Sequence, residues 1–88
     1  MKIKDGFVIR PVMGSYVVIA TGEMSKSFHG MVKLNGTAKD IWELLERGLD
    51  EDGIVKAMSD SYEVDEDTLR ADVKKTVAAF VAQGFVEV

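Results

Sequence analysis

Alternating apolar and polar residues dominate the first third of the chain and predict β-strands. Residues 7–12 alternate between two faces, with Phe7 and Ile9 on one side and Arg10 on the other. Met13-Gly14 then supplies a turn before the apolar run SYVVIA. These two segments are therefore expected to form a β-hairpin.

A third segment, SFHGMVKL at residues 27–34, has the same period of two and predicts a third strand. One face would carry Phe28, Gly30, Val32 and Leu34, and the other would carry His29, Met31 and Lys33. The pattern does not decide whether this strand lies at an edge of the sheet.

From residue 35 onward, apolar residues recur every three to four positions, which predicts three amphipathic helices. Asn35 or Thr37 can cap the first helix, Asp50 the second and Asp65 the third. The predicted core positions on the three helices are Ala38, Ile41, Trp42 and Leu45, then Ile54, Val55 and Met58, then Leu69, Val73, Val77, Phe80 and Val81.

Gly48 and Gly84 are expected to end the first and third helices, because glycine tolerates the positive φ that often follows a helix. The closing FVEV would form a short strand or a tail packed on the core. This order predicts one α+β domain over residues 1–88, winged-helix-like, with a three-stranded antiparallel sheet followed by three helices.

Composition narrows the classes of function. The chain has 88 residues, a net charge of −4 and no cysteine, which excludes disulfides, thiolate metal sites and cysteine nucleophiles. The absence of cysteine favours a cytoplasmic location. The acidic balance argues against nucleic acid as a partner, and the alternating N-terminal segment resembles neither a signal peptide nor a membrane span.

Candidate chemistry is sparse. His29 is the single imidazole and has no nucleophile or paired carboxylate at a catalytic spacing, so a surface position is the simpler interpretation. Residues 50–52 are acidic but lack the ligand period of a calcium loop, and LNGTAKD lacks the lysine of a phosphate loop. We therefore expect no catalytic residue, no metal and no cofactor.

The third helix carries a second line of residues beside its core stripe. Small side chains let another backbone come close, so this line could be one wall of a groove whose other wall is the third strand. The same alanines could instead simply favour helix on a solvated face. The line consists of Ala71, Lys75, Ala78 and Ala82, with Lys74 adjoining.

The segments LNGTAKDIWELLERG at 34–48 and EDGIVKAMSDSYEVDEDTLRADVKKTVAAFVAQGFVEV from 51 onward resemble the PqqD family. The spacing of matching residues over most of the chain carries the resemblance, since none of them is a catalytic signature. They are Leu34-Asn35, Thr37-Ala38, Ile41-Trp42, Leu44-Leu45, Gly48, Tyr62, Asp72-Val73 and Gly84.

The resemblance implies a non-enzymatic recognition element for ribosomally made, modified peptides. Members of the family bind the leader segment of a precursor as an added strand between the third strand and the third helix. They present the precursor to a modifying enzyme, often a radical SAM protein. Carried over by position, the peptide-binding residues would be Phe28, His29, Gly30, Met31, Val32, Lys33, Ala71, Lys74, Lys75, Ala78 and Ala82.

Two other functions stay open at this point. A winged-helix module could bind nucleic acid, and a small subunit could serve an unrelated enzyme without any peptide. Self-association through an exposed strand edge could also give a homodimer.

Overall fold

The secondary structure follows the predicted order and adds two short strands. The computed structural model describes residues 2–26 and 31–87, apart from the side chain of Met24. Its elements are β1 (Lys2–Ile3), β2 (Phe7–Val12), β3 (Ser15–Ala20), a 3-10 helix (Gly22–Lys26), β4 (Val32–Leu34), α1 (Gly36–Glu46), α2 (Glu51–Ser59), α3 (Glu66–Ala82) and β5 (Val86–Glu87).

The main sheet is antiparallel and has the strand order β2-β3-β4. Strands β2 and β3 form the predicted hairpin, with Val12 opposite Ser15. Met13 and Gly14 both have positive φ, 49° and 82°, as the tight turns that match strand twist require. The predicted third strand corresponds to β4, whereas its first part, residues 27–30, lies outside the described residues.

A second, two-stranded sheet joins β1 to β5. Lys4 also donates its N–H to the carbonyl of Phe85 at 2.8 Å. The closing FVEV therefore forms the short strand that was one of its two predicted states, and Phe85 and Val86 are buried. β1 was not predicted, because two residues are too few to show a period.

The three helices begin at capping side chains. Asn35, Asp50 and Asp65 each accept an N–H at 2.8 Å from the residue three positions later. Asn35, and not Thr37, is therefore the cap of α1. Hydrogen bonds from the backbone N–H and hydroxyl of Thr68 lower the pKa of Asp65, which keeps this cap ionised.

The core lies between the helices and the sheet and is centred on Trp42, which is fully buried. Its indole ring makes edge-on contacts with Phe80 and Phe85, with centroid distances of 5.4 and 5.6 Å. The predicted core positions are buried with two exceptions. Ala38 is half-buried against the core, whereas Val81 is 38% exposed because it lies one step of the helix beyond Phe80.

The outer edge of the sheet at β2 is poorly suited to accept another strand. Thr21 donates its N–H to the carbonyl of Gly6 at 2.7 Å, which makes this a hydrogen-bonded pair of the hairpin. Hydrogen-bonded and non-bonded pairs alternate along an antiparallel ladder, so the backbone polar groups of Phe7, Ile9 and Pro11 face away from β3. Proline has no N–H to offer there.

The neighbouring arginine further occupies the β2 edge. The guanidinium of Arg10 donates to the outward-facing carbonyl of Ile9 at 3.1 Å. On this edge, Pro11 therefore has no N–H to donate to another strand. The Ile9 carbonyl already accepts a hydrogen bond from Arg10. Prolines and charged side chains are common means of blocking edge strands.

The opposite edge, at β4, has no such obstruction among the described residues. Because Val17 bonds toward β2, Tyr16 and Val18 bond toward β4, where they pair with Leu34 and Val32. The backbone N–H and C=O of Lys33 therefore face outward from the sheet. This leaves one donor and one acceptor on β4 in position to bond an added strand.

In the part of the chain that the structure describes, no helix has both the length and the apolar composition needed to cross a bilayer.

We expect Trp42→Ala to lower the free energy of unfolding by about 3–5 kcal/mol, because it leaves a large cavity in the core. The total for a chain of this size is about 4–13 kcal/mol. Trp42→Phe should cost less, since it keeps an aromatic ring beside Phe80 and Phe85. Urea and thermal denaturation measure both changes. A melting temperature shifted by only a degree or two in Trp42→Ala would contradict this prediction.

We expect the double variant Arg10→Ala, Pro11→Val to self-associate more strongly than the unmodified chain, because it restores a donor and frees a carbonyl on the β2 edge. Sedimentation velocity over a range of concentrations measures this. Arg47→Ala, which removes an exposed cation away from both edges, should leave the association state unchanged. Identical sedimentation of all three proteins would show that these two residues do not block the edge.

Candidate functional site

The largest concavity bounded by both β4 and α3 is an open groove of about 500 Å³. Its two walls come from elements far apart in sequence, and the start of α1 closes one end. The lining residues are Val32, Lys33, Leu34, Asn35, Thr37, Ala38, Asp72, Lys75, Thr76, Ala79, Phe80, Gln83 and Phe85.

The floor of the groove is apolar and rigid. Leu34, Phe80 and Phe85 line it and are each at most 4% exposed, since the rest of their surface packs into the core. Phe85 follows Gly84, whose φ of 84° turns the chain back under α3. The Phe85 N–H then bonds to the Phe80 carbonyl at 2.9 Å. The floor is thus held in place by the same contacts that form the core.

The helical wall carries a small side chain where it borders β4. Ala79 is exposed and lines the groove, so its small side chain lets an occupant approach the helix backbone. Thr76 and Gln83 lie one turn away on either side and add hydrogen-bonding groups. An extended segment placed here could bond with β4 and rest its side chains on the floor.

Three charged residues line the groove, namely Lys33 on β4 and Asp72 and Lys75 on α3. The ion pairs between described residues involve other cations, such as Lys39 with Glu43 and Arg70 with Asp52. The groove therefore carries a local excess of positive charge on a chain whose net charge is −4.

The residues assigned by sequence to the strand wall are only partly described. Val32 and Lys33 line the groove, and Met31 precedes β4 with 70% of its surface exposed. Phe28, His29 and Gly30 lie outside the described residues. The participation of all six in peptide binding stays a prediction.

On the helix, the structure brings one of the five assigned residues to the groove. Lys75 lines it, whereas Lys74 borders a different concavity of about 270 Å³ with Arg70 and residues 50–52. Ala71, Ala78 and Ala82 are exposed, and they are not among the residues that line the groove.

The reason for this difference is the 100° turn per helical residue. The core stripe of α3 passes through Val73, Val77 and Phe80. The alanine line lies roughly opposite that stripe, while the groove borders the flank that carries Thr76 and Ala79. The sequence did not reveal which flank faces β4, since both contain small or polar residues. Whether the alanine line contacts a peptide stays a prediction.

Another concavity, of about 310 Å³, separates α1 from the end of α2. The hydroxyl of Tyr62 donates a hydrogen bond to the Asp40 carboxylate there. This bond raises the pKa of Tyr62, because it stabilises the protonated phenol. The contact ties the segment after α2 to α1. Among the described residues, no group of His, Asp and Glu side chains could hold a metal ion.

One solved structure has the same fold as this chain. The chain is similar to TbiB1, whose structure was determined in complex with the TbiA(beta) leader peptide. The two share 26% sequence identity, with a TM-score of 0.80 over 99% of this chain and 95% of the TbiB1 chain. The predicted α+β fold is thereby confirmed.

Comparison with protein families gives a match over most of the chain, although no curated protein matches it. Residues 16–86 match the family described as Coenzyme PQQ synthesis protein D (PqqD). This span includes β3 from its second residue onward, β4, all three helices and the residues that line the groove. The chain therefore belongs to the PqqD family.

Proposed function

We propose that this protein binds the leader segment of a ribosomally made precursor peptide and presents the precursor to a modifying enzyme. The observation that carries the proposal is the open β4 edge beside α3, with an apolar groove of about 500 Å³ between them. An extended peptide needs such an edge for its main chain and such a floor for its side chains.

The similarity to TbiB1 supports the proposal. That protein was solved with a leader peptide, and this chain matches it along nearly its whole length. Membership of the PqqD family supports the same function. The nucleic-acid alternative is disfavoured, because the net charge is −4 and Arg70 on α3 is engaged by Asp52 and Glu66.

The geometry suggests how binding would proceed. The peptide would form main-chain hydrogen bonds with the outward-facing N–H and C=O of Lys33 and extend the sheet from three strands to four. Its inward side chains would lie over Ala79, Phe80 and Phe85. Ordering a flexible peptide costs about 2–5 kcal/mol, so affinity should be moderate and release should be possible after modification.

This protein would act as the binding partner of an enzyme and would not be an enzyme itself. We infer a non-catalytic role, a radical SAM or other modifying enzyme as partner, and a cytoplasmic location, where precursor peptides are translated. A homodimer through paired β4 edges would compete with peptide for the same backbone groups. Peptide addition should therefore dissociate any such dimer.

Affinity capture tests the function directly. The tagged protein is incubated with lysate of its source cell, and bound peptides, proteins and nucleic acids are identified, with half of the lysate treated with nuclease. Recovery of a short precursor peptide that competes with an excess of its synthetic leader segment would support the proposal. Recovery of nucleic acid without any such peptide would overturn it.

We expect Ala79→Trp to weaken binding of the captured leader peptide by about five- to 150-fold, because the indole would fill the groove and overpacking typically costs about 1–3 kcal/mol. The same substitution at Ala78 tests the face assigned from sequence. The groove geometry predicts little effect there. Fluorescence anisotropy with labelled peptide measures both, and circular dichroism checks folding.

A larger loss for Ala78→Trp than for Ala79→Trp would favour the alanine line as the binding face and contradict the groove assignment. Equal affinity of both variants and the unmodified chain would exclude α3 from the binding site.

A further inference from the structure

We propose that the groove selects a peptide segment in which an acidic residue lies between two apolar residues, with Lys33 reading the acidic side chain. This inference rests on the proposed function and adds the chemistry of the bound segment. It follows from the register of β4 and from the charges in the groove.

The register determines which peptide residue faces which surface. Lys33 has its backbone groups turned outward, so it would form the hydrogen-bonded pair with one residue of a strand added antiparallel, as the other strands of this sheet are. Directly opposite residues share a face of the sheet. The side chain of that peptide residue would therefore lie beside the exposed Lys33 side chain.

The two flanking peptide residues would point to the opposite face, the one that carries Val32 and Leu34. That face meets the groove floor, where Leu34 and Phe80 are each 4% exposed. Polar side chains packed directly on these apolar floor residues would lose hydration that Leu34 and Phe80 cannot replace with hydrogen bonds. Apolar side chains are favoured at both flanking positions.

Charge favours a carboxylate at the central position. Lys33 and Lys75 line the groove, and neither forms an ion pair with any described residue. Asp72 is the only carboxylate among the described residues that line the groove, and it lies on the helix wall. A peptide carboxylate beside Lys33 would gain an ion pair without having to break one.

The net charge of −4 disfavours binding of an acidic peptide, since it repels such peptides at a distance. Physiological salt limits such long-range effects to about 8 Å. Contact with Lys33 occurs within that distance, so the local pair dominates in the bound state. A basic segment attracted by the net charge would instead bring two cations together at Lys33.

Selection from a random library tests the pattern without knowledge of the natural peptide. Phage-displayed dodecapeptides are panned against the intact protein, with the Ala79→Trp variant used to remove clones that bind elsewhere. We expect enrichment of an acidic residue between two apolar residues. Enrichment of groove-dependent clones with a basic or neutral central residue would overturn this inference and leave the proposed function standing.

Absence of any groove-dependent clone would instead overturn the proposed function itself, and the inference with it.

A charge exchange then tests the role of Lys33. One enriched peptide is synthesised with Glu, Gln or Lys at the central position and measured by fluorescence anisotropy. The unmodified protein should prefer Glu to Gln by about two- to five-fold, the range for one cross-strand pair of opposite charges. Lys33→Glu should prefer the Lys peptide instead.

Lys56→Glu is the matched control. It makes the same change of charge at an exposed position on α2, outside the groove, and should keep the preference for Glu. An unchanged order of affinities in Lys33→Glu would overturn the assignment of Lys33 as the residue that selects the acidic side chain. A reversal in both variants would do the same, because it would show that only net charge matters.

Discussion

The packing of Phe85 against three other aromatic rings is the contact on which the rest of the structure depends. Its ring lies 4.9 Å from that of Phe7, 5.6 Å from Trp42 and 6.3 Å from Phe80. These partners belong to β2, α1 and α3, so a single side chain joins the sheet to two helices. Aromatic pairs at such distances add about 0.5–1.5 kcal/mol beyond burial of their surface. Since Phe85 also lines the groove, the core and the candidate site share one support.

The two edges of the main sheet differ in the backbone groups that they leave free. At β2, Pro11 lacks a donor and Arg10 engages the Ile9 carbonyl. At β4, the backbone of Lys33 faces outward beside an apolar floor. A small sheet with two equally open edges would risk pairing with other copies of the chain. Of these two described edges, the one at β4 therefore has free backbone groups with the groove beside it.

Much of the fold could be predicted because its elements have clear periods. Core positions such as Trp42 and Val73 belong to apolar patterns with the helical period. The caps Asp50 and Asp65 directly precede such patterns, so the local sequence was enough to predict them. β1 was missed because it has two residues and exists through its pairing with β5. Val81 was misplaced because the width of a core stripe depends on what packs beside it.

The site was harder to predict than the fold, because it is formed where β4 and α3 meet. The sequence pattern predicted a groove between these two elements, and the structure has one there, but the flank of α3 that faces β4 is set by tertiary packing. Ala79 and Phe85 line the groove but were therefore not predicted to do so.

Backbone amide hydrogen exchange, followed by NMR with and without the captured leader peptide, tests the central claim most directly. If the peptide adds to the sheet at β4, exchange at the Lys33 amide should slow markedly, while the outward-facing Ile9 amide on β2 should exchange as before. Slower exchange at Ile9, or a bound peptide that leaves the Lys33 amide unprotected, would contradict strand addition at β4.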